Sequence, residues 1–378
     1  MKKSGILVTA LLLCACNSPR FYRHFPSTYW TADNQLKIRF SHAGQSQYYQ
    51  VKRDGTDLKT IAKTDYDRPD STYESADGKY SFQVESFDTP VSEQSNGSGY
   101  KLSILDKQSK QSRALPDLLP HSAQFLGWSP DSRYFLMQVH PRITPDGTLL
   151  VEFWIVRASD LQILKFNAES FKISPPKQPS SAIWTQDSQL LFLLSNGNES
   201  ETNYELWKSK ADTPSPEQVT ILMGQAGKHS LGIHALSPNN QQMILANGIR
   251  QLFFADLNTG KLKALSGGTG GEWSPDGSQF AFQAVAALDD PKYTGYADPN
   301  RPLADIMLYD IKQDQLKSLT QTPALHEEFP QWSPDGQSLA YTVNGTRNEA
   351  SVFVIKPDGT NAIKVSRSIT LIQDIPEP

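Results

Sequence analysis

Cysteine is almost absent. The 378 residues hold two, Cys14 and Cys16, both at the very start. No disulfide can therefore staple the body of the chain, and its stability has to come from a packed core. A strong charge of either sign is lacking too. Lys and Arg number 36 against 40 Asp and Glu, a net charge of -4, and mild acidity argues against nucleic acid as a partner. Signatures of common active sites are missing as well. No Gly-x-Ser-x-Gly elbow occurs, so the serine-hydrolase reading has no nucleophile. Gly267-Gly-Thr-Gly-Gly271 is not followed by Lys and Ser or Thr, and Gly227-Lys228-His229 fails the same test, so neither is a phosphate loop. The first of these reads as a flexible connection.

The start of the chain is informative. Met1-Lys2-Lys3 is a short basic opening, Ile6 to Leu13 is an apolar run too short to span a bilayer, and Leu13-Cys14-Ala15-Cys16 follows. These four residues resemble a bacterial lipoprotein processing box. The resemblance implies cleavage before Cys16, acylation of Cys16, and, with Asn17 next, the outer membrane facing the periplasm. Removing Lys2 and Lys3 leaves 34 basic against 40 acidic residues, a balance of -6. The expected organisation is a signal peptide over 1–15, a lipid-anchored tether over 16–23, one repeat domain over 24–366 and a tail over 367–378.

A repeat dominates the rest. Trp332-Ser-Pro-Asp335-Gly336 and Trp273-Ser-Pro-Asp276-Gly277 are near copies, and looser ones stand at Trp128-Ser-Pro-Asp131-Ser132, Trp184-Thr-Gln-Asp187-Ser188, Leu236-Ser-Pro-Asn239-Asn240, Glu74-Ser-Ala-Asp77-Gly78 and Trp30-Thr-Ala-Asp33-Asn34. Alternating apolar stretches follow each copy, such as Tyr134 to Val139, Val151 to Val156 and Ile163 to Phe166. Counting the residues that lead into each tryptophan, the pattern predicts four short strands per repeat, an all-β chain and a β-propeller of four-stranded antiparallel blades. The motif resembles the WD-like repeat of TolB and of prolyl oligopeptidase propellers. The turn Asp or Asn positions 33, 77, 131, 187, 239, 276 and 335 predict seven blades, or six if the copy at Trp30 is spurious.

Pro, Asp and Gly in succession suit a tight turn, because Pro presets φ, Asp bonds the local backbone and Gly accepts positive φ. Asp131, Asp187, Asp276, Gly277, Asp335 and Gly336 are accordingly expected to be structural, and no residue is assigned a catalytic role. Five copies carry Trp at the head, where a large ring would fill the wedge between blades.

Function has to sit elsewhere. Connections between third and fourth strands are short, as at Asp54-Gly-Thr56 and Asp358-Gly-Thr360, whereas Ser86 to Tyr100, His140 to Thr148 and Val285 to Ala304 are long and belong to one face. Binding residues commonly ride on such loops. The longest holds Asp289, Asp290, Tyr293, Tyr296 and Asp298, a cluster suited to a basic peptide or a sugar. His24, His121, His229 and His326 precede four of the repeat heads by six or seven residues and are candidates for a divalent-metal site. The leading expectation is a noncatalytic platform for an envelope protein or peptide, held to the membrane by its N-terminal lipid and needing no cofactor. The alternatives are a metal-dependent glycan lyase or hydrolase with histidines at the axis, and a small-molecule sensor.

Overall fold

A computed structural model describes residues 26–42, 45–66, 73–88, 98–115, 123–139, 152–166, 178–195, 203–212, 216–223, 231–248, 250–284, 304–320, 326–344 and 350–366. Apart from one helical turn, Lys63–Tyr66, every regular element is a strand. The chain is all-β, of the β-propeller class with antiparallel blades. Among the described residues no helix is long and apolar enough to cross a membrane.

Among the described residues the strands form six sheets, and in each the spatial order follows the order of sequence. Four have four strands: Ser27–Trp30 to Lys59–Thr60, Ala123–Trp128 to Ile163–Phe166, Gln178–Trp184 to Glu217–Met223, and His326–Trp332 to Ile363–Lys364. Among the described residues the other two sheets do not show four strands each. Among the described residues the sheet beginning at Tyr80–Asp88 has three strands, and ahead of it Glu74 makes an isolated bridge to Ser81. The remaining sheet has seven strands, from Leu231–Leu236 to Gln315–Ser318.

The seven-stranded order arises at Leu262–Trp273, one strand of twelve residues. Gly267-Gly-Thr-Gly-Gly271 lies inside it, so the expectation of a flexible connection is corrected. A Cβ on Gly268 would stand 2.7 Å from the Phe282 ring, and one on Gly271 would stand 2.6 Å from Phe280. The missing side chains let this strand lie close against its neighbour.

The described chain clusters into two compact units. One contains Met1–Tyr66, Ala246–Leu252 and Leu265–Pro378, the other Asp67–Leu245 and Phe253–Ala264. In the first unit the first and last sheets pack together through Leu36, Ile38, Phe40 and Val51 against Ala340, Val352, Val354 and Val365. Ala281, Ile306 and Leu308 pack likewise against Leu339, Tyr341 and Val343. In the second unit three further clusters each join two consecutive repeats. Alternation along each strand presents apolar residues to a neighbouring repeat, so burial is the main stabilising term between repeats.

Candidate functional site

The five turn motifs headed by Ser share one hydrogen-bond scheme. Ser274 Oγ donates to Asp276 Oδ1 at 2.6 Å and accepts the Gln279 N–H at 2.9 Å, while Asp276 Oδ1 accepts the Ser278 N–H at 3.0 Å. The same three bonds recur at Ser333 and Asp335 and at Ser129 and Asp131. Thr185 bonds Asp187 at 2.6 Å and takes the Gln189 N–H, closing a turn one residue shorter. Gly277 and Gly336 have φ of 70° and 68°, which a side chain would strain. The Ser274 hydroxyl, aided by the Ser278 N–H, holds the Asp276 carboxyl below its ordinary 3.8 against the opposing effect of burial. At Asp335 burial pushes up, and the Ser333 hydroxyl, the Gln337 N–H and the Arg53 guanidinium together outweigh it. The Thr185 hydroxyl does the same for Asp187.

The residue after the Asp adds a second layer. Asn34, Ser132, Ser188 and Asn240 hold φ of 56° to 61°, where Gly stands in the other copies. Each accepts a backbone N–H from the turn of the preceding repeat: from Asp335 at 3.2 Å, Asp77 at 3.0 Å, Asp131 at 2.9 Å and Gln186 at 3.3 Å. Tryptophan makes a parallel set of links. The indole N–H of Trp30 donates to Gln331 O, Trp128 to Tyr73 O, Trp184 to Gly127 O and Trp332 to Glu272 O. Each acceptor immediately precedes the head residue of the preceding repeat. Within each unit, neighbouring turns are thus bonded to one another, and the carboxylates of Asp187, Asp276 and Asp335 are engaged in their own turns.

The segments outside the described residues include Cys16, His24, His121, His229 and the cluster Asp289, Asp290, Tyr293, Tyr296 and Asp298. His326 is described. It opens the inner strand of the last repeat, and its Nε2 lies 2.5 Å from Glu328 Oε1. Gln283 Nε2, from the neighbouring repeat, donates to the same oxygen at 3.3 Å. Among the described residues no group of three or more His, Cys, Asp or Glu is arranged to hold a metal.

Two signals escaped the sequence reading. One is the Ser or Thr that heads each turn, present in all seven copies and buried in most. The other is Phe329, three residues before Trp332, with φ of 55° and half its surface exposed.

No family model matches this sequence, and no curated protein does. Solved structures are similar in fold. The chain matches one of two prolyl endopeptidases at 10% identity and a TM-score of 0.50, over 90% of this chain and 50% of that one. It is also similar to the β-propeller domain of the Trilobed protease from Pyrococcus furiosus, at 11% identity and a TM-score of 0.47, over 90% of this chain and 97% of that domain. A putative TolB from Agrobacterium tumefaciens matches at 15% identity and a TM-score of 0.38, over 76% and 89%. At such identities the likeness speaks to fold alone, and the chain spans half of the prolyl endopeptidase.

Proposed function

We propose that this protein is a lipid-anchored β-propeller of the bacterial cell envelope that binds a protein or peptide without catalysing a reaction. The observation that carries the reading is the contrast between the two strand ends. At the short-turn end the polar groups of the motif bond one another within and between repeats, as Ser274, Asp276 and Ser278 do. The opposite strand ends lead into the long connections, which are the natural place for recognition on a rigid scaffold. Cys16 after the apolar leader supports the anchor and the periplasmic, outer-membrane location.

On this reading there are seven blades. The seven-stranded sheet counts as two, and the Glu74–Ser81 bridge belongs to the inner edge of the second. Site-specific photo-crosslinking in intact cells, from positions at both ends of the strands, tests the binding role.

A further inference from the structure

The chain has five methionines, and setting Met1 aside they are Met137, Met223, Met243 and Met307. Methionine is a soft, apolar side chain that cores use to fill irregular gaps. Met137 and Met243 do so. Each is 0% exposed, the first in a cluster with Phe82 and Phe135 and the second in a cluster with Leu206 and Phe253. Met307 is partly buried within Ile306–Asp310. Met223 breaks the pattern, because it is 60% exposed, more than any other large apolar side chain among the described residues.

A frayed backbone is not the reason. Met223 ends the strand Glu217–Met223, pairs there with Asn203, and donates its N–H to Gly260 O at 2.9 Å. A Cβ on Gly260 would stand 2.5 Å from Ile221 O, so the two segments lie in close contact. Leu222 is fully buried among Tyr204 and Leu206, and alternation then turns Ile221 and Met223 to the other side of the strand. Ile221 is 40% exposed. An ordered strand therefore holds the thioether of Met223 in water, where a dissolved oxidant reaches it without any opening of the fold.

We propose that Met223 is a site of oxidative modification, converted to the sulfoxide by a peroxide while the protein stays folded. The sulfur lone pair attacks one oxygen of hydrogen peroxide, and the S–O bond forms as the O–O bond breaks. The second oxygen leaves as hydroxide and takes the proton of the first to become water. The same electron pair oxidises the sulfur and reduces the peroxide. A sulfoxide is polar where the thioether is apolar, so the exposed end of the strip made by Ile221 and Met223 changes character, whereas Met137 and Met243 are shielded by their clusters. This inference is independent of the binding role.

The test exposes the full-length protein in detergent to hydrogen peroxide and follows oxygen uptake at each methionine by peptide mass spectrometry. Met223 should be oxidised at least about tenfold faster than Met137 and Met243, and faster than Met307. In urea the rates should converge, because the fold is what separates them. The thermal midpoint should stay unchanged when Met223 alone carries the added oxygen, and Met223→Leu should keep its midpoint and lose the fast uptake. Uptake at Met223 no faster than at the two core methionines would overturn the site, as would a rate difference that persists in urea. A lowered midpoint after oxidation of Met223 alone would overturn it as well, since the sulfur would then be packed and structural.

Discussion

The backbone N–H of Asp335 donates to Asn34 Oδ1 at 3.2 Å, across 301 positions of sequence. Arg53 reaches the same turn from the first repeat, with Nη1 2.7 Å from Asp335 Oδ2. Together with the Trp30 to Gln331 bond and the apolar cluster beneath, these contacts join the first repeat to the last. Among the described residues the first and last sheets are each built of consecutive strands, so no strand from one terminus completes the sheet of the other.

The link between turns leads to a paired prediction at Ser188, which accepts the Asp131 N–H. Ser188→Ala loses the acceptor and keeps the strain of positive φ, so it should cost about 1 kcal/mol. Ser188→Gly loses the same bond but relieves roughly 1 kcal/mol of strain, and should be near neutral. Urea unfolding of the two variants separates these terms, and equal losses would remove the positive-φ argument.

Tryptophan offers an internal control. Trp332 and Trp273 are buried alike, yet Trp332 Nε1 donates to Glu272 O while Trp273 Nε1 has no hydrogen-bond partner among the described residues. Trp332→Phe should therefore cost about 1 kcal/mol more than Trp273→Phe. Thermal or denaturant unfolding of both variants measures the difference.

Acid should destabilise the fold through its turns. Asp187, Asp276 and Asp335 are held below the ordinary carboxylate value of 3.8 in the folded state. Their contribution is complete above that value and is lost as the pH falls through the lower folded-state values. Scans of thermal midpoint from about pH 6 to about pH 2.5 should show this loss. The double variant Asp276→Asn, Asp335→Asn should fall less steeply over the acid range while starting lower at neutral pH. A parallel curve would mean that these two groups do not set the acid limit.

The anchor is tested apart from the fold. Cys16→Ser should leave a soluble periplasmic protein with an unchanged circular dichroism spectrum. Recovery of that variant in the membrane fraction without detergent would place the attachment elsewhere.

Much of the architecture is legible because the turn motif is a local chemical unit. Trp, Ser, Pro, Asp and Gly at fixed offsets mark where a hairpin closes, and the apolar alternation after them marks what it buries. The fusion of strands at Leu262–Trp273 was hidden because a glycine cluster reads as flexible, whereas here Phe280 and Phe282 take the space that side chains would need. The links from Ser132 and Ser188 were visible only as failures of the glycine rule, and their use depends on which turn lies opposite. Phe329 was hidden for another reason. Nothing in a one-dimensional pattern marks a bulge, and only the register of Glu328 with Thr342 and Gln331 with Ala340 shows that Phe329 and Pro330 fall in one.

The binding surface is tested most directly by a photo-crosslinking map in intact cells, with the probe placed singly at Tyr293, Tyr296, Asp298 and positions 89–97 between the paired strands Tyr80–Asp88 and Ser98–Asp106, and at Asp54, Thr56, Asp358 and Thr360 for comparison. The account predicts that one partner is trapped repeatedly from the first group and not from the second. Crosslinks gathered at the short turns, with none from the long connections, would contradict the proposed binding surface.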